Sequence, residues 1–136
     1  MTNPFRDQET FMKACDQSVD GSNQAQFKMY LKLIKEEFDE LQVAQGINLE
    51  TGEQVNPVDM VETLDALLDI VVVTIGAMHS AGMNAEGGWK EVMMTNFAKV
   101  DKETGKVRKR EDGKVLKPTG WKAPELAPFL TKDQSK

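Results

Sequence analysis

Two groups of carboxylates interrupt sequence that otherwise reads as apolar helix, and they are the residues best suited to chemistry. Glu36, Glu37 and Glu40 lie in Leu33-Ile34-Lys35-Glu36-Glu37-Phe38-Asp39-Glu40-Leu41, and Glu62, Asp65 and Asp69 lie in Val61-Glu62-Thr63-Leu64-Asp65-Ala66-Leu67-Leu68-Asp69-Ile70-Val71-Val72. Residues three and four apart on a helix share a face. Glu37 and Glu40 therefore project together, and so do Glu62, Asp65 and Asp69. Like charges at this spacing repel by about 0.2–0.5 kcal/mol per pair on an exposed helix, and burial sharpens the conflict unless a cation lies between them. A hard divalent metal with oxygen ligands removes it. Mg²⁺ takes one or two protein carboxylates and fills its other positions with water and phosphate oxygens. Paired metals of this kind activate water and neutralise charge at phosphorus and on its leaving group. The chemistry expected is metal-dependent chemistry on phosphate.

Helices must position these acids. From Gln26 the apolar residues Phe27, Leu31, Ile34, Phe38 and Leu41 recur at helical spacing, which predicts a long helix to about Ala44. The neighbouring stripe, Tyr30, Leu33, Glu37, Glu40 and Ala44, is apolar at both ends and acidic in the middle. A second long helix is expected from about Val58 to Ala81, stopped by Gly82. Its stretch Ile70-Val71-Val72-Val73-Thr74-Ile75 has strand propensity, but Leu64, Leu67, Leu68 and Val71 keep the helical period. Shorter helices are expected around Gln8–Gln17 and from about Asn84 through Trp89, Met93 and Phe97. Beyond Val100 the character changes. Between Lys99 and Lys122 nine basic residues face four acidic ones, and Thr104-Gly105, Asp112-Gly113 and Thr119-Gly120 mark turns. A basic hairpin or arm over about 101–126 fits, and residues 131–136 read as a frayed tail.

The bulk properties set limits. A chain of 136 residues with net charge −5 is expected to form one domain, 1–136, with a helical core over about 5–100. The acidity argues against a nucleic-acid binder. Cys15 is the single cysteine, so neither a disulfide framework nor a thiolate metal site is available. The N-terminus has no apolar signal core, and the stretch Ala66–Ala81 is short of a membrane span and carries Asp69 and His79. A cytoplasmic protein without membrane association is expected. His79, the only histidine, reads as a core residue rather than a catalyst.

The run around Glu36, Glu37 and Glu40 resembles the EExxE signature of the all-α NTP pyrophosphatases, the MazG-like superfamily, and Glu62-Thr63-Leu64-Asp65 is similar to its ExxD half. Asp65 to Val71, then Gly76-Ala77, resembles a branch frequent in phage proteins and akin to phosphoribosyl-ATP pyrophosphohydrolase. That branch carries Asn-x-x-Lys after the third helix and then a basic Asp-Gly-Lys arm; here these are Asn96-Phe97-Ala98-Lys99 and Asp112-Gly113-Lys114-Val115-Leu116-Lys117. The resemblance spans roughly residues 5–126. It implies an all-α helical bundle completed by oligomerisation, as a homodimer or homotetramer, with the basic arm at its C-terminus. It also implies hydrolysis of a nucleoside triphosphate, such as the purine dGTP, to monophosphate and pyrophosphate, in the host cytoplasm if phage-encoded. Glu37 and Glu40 would be metal ligands, with Glu36 a ligand through water or a base. Either Glu62 and Asp65 or Asp65 and Asp69 would complete a site for two or more Mg²⁺, with Mn²⁺ able to substitute. Asn96 and Lys99 would bind the nucleotide, and Lys114 and Lys117 its phosphate tail. Phosphoribosyl-ATP is the alternative substrate, and a non-catalytic, metal-stabilised helical dimer the alternative role.

Overall fold

The computed structural model describes residues 2–132; positions 133–136 of the expected tail lie outside them. The architecture is all-α: α1 (Pro4–Ala14), α2 (Gln24–Ala44), α3 (Met60–Ser80) and α4 (Ala85–Phe97), followed by a short 3₁₀ turn at Ala127–Phe129. Two compact units divide the chain, Met1–Met83 and Asn84–Lys136.

Every one of the four α-helices starts on an amide or carboxylate cap. Asn3, Asn23, Asp59 and Asn84 accept backbone N–H groups from the first turns of α1 to α4. Each such cap stabilises its helix by about 1 kcal/mol. Asn3 followed by Pro4 starts the first helix four residues before the expected Gln8, because proline at the first helical position sacrifices no hydrogen bond. The same helix ends at Ala14, since Asp16 adopts a left-handed conformation (φ 59°) and turns the chain. Gly82, with φ 76°, stops α3 as its sequence predicts.

In the first unit, α2 and α3 run antiparallel along most of their length. Gln26 near the start of α2 donates to Ser80 Oγ at the end of α3 (2.8 Å), and Gln45 after α2 donates to Thr63 Oγ1 near the start of α3 (2.7 Å). Met12, Tyr30, Val73 and Ala77 form the buried core, with Phe27, Leu33 and Ile34 packed against it. Ile70–Ile75 is helical throughout: burial of Val73 and Ile75 against its neighbours outweighs β propensity. The inward face of α2 differs from the simple apolar stripe. Tyr30 and Ala44 are buried, whereas Leu31 and Phe38 are exposed. The stripe that carries the acids is thus the one turned toward α3.

A close approach of the two helices sets their register. A methyl group at Gly76 would fall on the Tyr30 ring, 2.8 Å from Cδ1, and the Tyr30 hydroxyl is fixed by donating to Gln17 Oε1 at 2.6 Å. Seven residues on from Tyr30 is Glu37; seven residues back from Gly76 is Asp69. Seven residues are two turns, about 10.5 Å, in both helices. The aromatic–glycine contact therefore places the two carboxylates in the same layer.

In the second unit, α4 leads into turn-rich chain with isolated antiparallel bridges Val100↔Val107 and Lys109↔Val115. Gly105 and Gly113 occupy its left-handed turn positions. Among the described residues no helix is long and apolar enough to cross a membrane.

Gly76→Ala tests the register argument. Alanine gains about 1 kcal/mol of helix propensity, while overpacking costs about 1–3 kcal/mol. Thermal unfolding is expected to show net destabilisation at Gly76, but stabilisation for Gly88→Ala, where an added Cβ meets only Phe129 Cβ at 3.9 Å.

Candidate functional site

The α2–α3 seam gathers the acids. Glu37 and Glu40 from α2 and Asp69 from α3 each offer one oxygen, and these three oxygens lie within 4.8 Å of one another. Glu37 and Asp69 are half-buried, and Glu40 is exposed. One Glu37 oxygen, Oε2, is cut off from solvent and has no hydrogen-bond partner. A buried anionic oxygen without a donor is costly. The donor set is all oxygen and half withdrawn from water, with one Glu37 oxygen lacking a partner. It fits a hard divalent cation.

The titration behaviour follows from the same geometry. Partial burial, then the adjoining Glu40 carboxyl, then the charges of Asp69 and Asp65 push the Glu37 carboxyl up to about 7. Desolvation, followed by the charges of Asp65 and Glu40, also raises Asp69. Asp65 thus acts on the cluster, and it also borders an open groove of about 530 Å³ whose lining includes Asp39, Glu40, Asp59 and Glu62. Asp69 belongs to the compact trio, Glu62 and Asp65 line the groove, and Glu40 belongs to both.

Other candidates separate cleanly. Glu36 is exposed and outside the trio. Asp39 pairs with Lys35 at 2.9 Å along an exposed turn, an ordinary helix-surface pair worth a few tenths of a kcal/mol. Buried His79 ties α3 to α1: its Nε2 donates to Phe5 O at 2.7 Å, and Nδ1 lies 3.7 Å from Glu9. Gln17 holds Tyr30 and Asn23 caps α2, so both amides serve the fold.

Within the second unit, Asn96 Oδ1 accepts from Lys99 Nζ at 3.0 Å. Lys99 and Lys117 both lie over the Trp121 ring, at 5.0 and 4.8 Å from its centroid, within the range of cation–π attraction. Trp121 Nε1 donates to Thr95 O at 2.7 Å, which fastens the tryptophan to α4. Lys114 sits instead at an exposed turn whose Asp112 carboxylate accepts the Lys114 N–H and pairs with Arg110. Those contacts, the backbone N–H first, hold the Asp112 carboxyl below its usual range. The sequence offers Trp121 only as one of five aromatics, with Phe5, Phe11, Trp89 and Phe97, that could stack on a base; its position four residues after Lys117 was the signal for its contact with the lysines.

The sequence model of the phosphoribosyl-ATP pyrophosphohydrolase family matches residues 8–96, a span that includes every acid of the cluster and groove. No curated protein matches the chain.

The raised Glu37 value makes a signed prediction. Between pH 4.5, the ordinary glutamate value, and about 7, the folded state retains a proton that the unfolded chain has released. Stability of the metal-free protein should therefore fall as pH rises through that window. Cation binding competes with the same proton, so affinity for Mg²⁺ or Mn²⁺ should tighten across it. Melting curves with chelator and with metal, at stepped pH, check both; Glu37→Gln should flatten the pH dependence.

Proposed function

This chain belongs to the phosphoribosyl-ATP pyrophosphohydrolase family, and from that membership we propose that it hydrolyses a nucleoside triphosphate to the monophosphate and pyrophosphate. The convergence of Glu37, Glu40 and Asp69 within 4.8 Å carries this reading. These three residues would hold a divalent cation, Mg²⁺ with Mn²⁺ as substitute, and Asp65 and Glu62 would extend the ligand set to a second ion. When bound, the cation neutralises charge on the phosphates and makes a nearby water more acidic.

The chain's own groups do the rest. Glu36, left outside the ligand trio, accepts the proton of the attacking water. Water oxygen bonds to phosphorus, the anhydride P–O bond breaks, and pyrophosphate leaves with that electron pair. Asn96 and Lys99 bind the nucleotide, while Lys117 and Lys114 supply positive charge to the phosphates. A purine deoxynucleotide such as dGTP is the proposed substrate. The description of the matched family favours a second reading, phosphoribosyl-ATP.

Assembly belongs to the proposal. Val61, Leu64, Leu68 and Val71 share one face of α3 at helical spacing and are exposed, with Leu64 at 59% and Leu68 at 56%. Burying each such side chain stabilises by about 1.5–3 kcal/mol, so a homodimer or homotetramer formed through this face gains substantially. Replacing Leu64 and Leu68 together by Glu should shift the protein to monomer in sedimentation velocity while the helical circular dichroism persists.

Incubation with Mg²⁺ and a panel of nucleoside and deoxynucleoside triphosphates plus phosphoribosyl-ATP tests the activity. The expected products are one monophosphate and pyrophosphate, lost on chelation. Glu40→Gln and Asp69→Asn should each lower turnover by about 100-fold or more with helicity intact. Orthophosphate as product, or turnover unchanged in both variants, would overturn the assignment; metal-dependent stabilisation without any hydrolysis would point to the non-catalytic dimer.

A further inference from the structure

Beyond residue 96, where the family match ends, the chain builds a cavity of about 420 Å³ whose lining includes Lys99, Lys102, Arg108 and Lys117. The sequence of the whole protein has net charge −5, which makes four cations around one cavity a marked local reversal. Asp101 is the one acid in the lining. Its carboxylate is engaged in the adjoining turn, where Oδ1 accepts the N–H of Glu103 at 2.8 Å and of Thr104 at 3.4 Å. None of the four cations forms an ion pair with a carboxylate among the described residues, in contrast to Arg110, which is paired with Asp112 at 2.8 Å. Lys99 and Lys117 both lie over the Trp121 ring, 5.0 and 4.8 Å from its centroid, which keeps both cations at the cavity. Convergent unpaired cations are relieved by an anion, just as convergent carboxylates are relieved by a metal.

The size and donor types define the ligand. Arg108 offers a planar fork of N–H groups suited to two oxygens of one phosphoryl group, and each lysine offers a compact point charge. Four cations exceed what a single carboxylate or phosphate requires. We propose that this cavity binds condensed phosphate, either free pyrophosphate or tripolyphosphate or the tail of a nucleotide, through Lys99, Lys102, Arg108 and Lys117. The nucleotide-tail source rests on the pyrophosphohydrolase reading above. Lys102 and Arg108 are thereby given a role, whereas Lys114 does not line this cavity.

Inorganic tripolyphosphate titrated into the full-length protein in chelator, followed by calorimetry, provides the test, with sulfate at matched ionic strength as reference. Saturable 1:1 binding is expected, at least 10-fold weaker in Lys102→Gln and in Arg108→Gln, and within 2-fold of wild type in Lys109→Gln, a basic residue of the same segment outside the cavity. Circular dichroism and thermal melts verify that each variant folds. Displacement by a nucleoside triphosphate would identify the nucleotide tail as the source, and binding without displacement would identify free condensed phosphate. Absence of saturable binding, equal binding of sulfate, or an equal loss in Lys109→Gln would overturn the proposal. The two readings fail separately: hydrolysis with unchanged KM in Lys102→Gln and Arg108→Gln alongside no tripolyphosphate binding removes the cavity site alone. Binding without any nucleotide hydrolysis removes the hydrolase alone.

Discussion

Carboxylates that repel one another are held together at the α2–α3 seam, and the rest of the first unit is arranged around that constraint. The force opposing repulsion is apolar packing two turns away. Tyr30 fits against Gly76 and the buried Val73 and Ala77, so the helices cannot slide without losing that contact. Because both helices rise by the same distance per residue, register fixed at Tyr30 and Gly76 is transmitted to Glu37 and Asp69. The resulting electrostatic strain is visible in Glu37, whose carboxyl is pushed up to about 7. A packed core thus stores an unfavourable charge arrangement whose natural relief is a cation.

The second unit shows the complementary condition. Lys99 and Lys117 both lie over the ring of one tryptophan, itself anchored to α4 through Thr95. Cation–π attraction contributes about 0.5–1 kcal/mol at exposed sites. Such a pair can be kept in place without a buried counter-ion.

Much of the helical framework was legible in the sequence. The ends of α2 and α3 fell within two residues of expectation, because caps and the period of apolar residues are local signals. Ile70–Ile75 required the flanking period to override its β propensity. The start of α1 was misplaced because the apolar pattern there is weak, although Asn3-Pro4 marked it. Leu31 and Phe38 were assigned to the same stripe as Phe27 and Ile34, yet they are exposed. Spacing groups residues on a helix face, but it does not say which neighbour that face meets.

The same division applies to the candidate site. Sequence alone determined that six acids would lie on two helices and that Glu37 and Glu40 would project together. These follow from the fixed geometry of the α-helix, which needs no knowledge of the remainder of the chain. Only the tertiary structure decided that Asp69 joins Glu37 and Glu40 while Glu62 faces the groove. It also decided that Lys99 and Lys117 both lie over the Trp121 ring, and that Lys114 stands apart. Those outcomes depend on the register between elements distant in sequence, and register is set by side-chain packing, such as Tyr30 against Gly76, that no local pattern encodes.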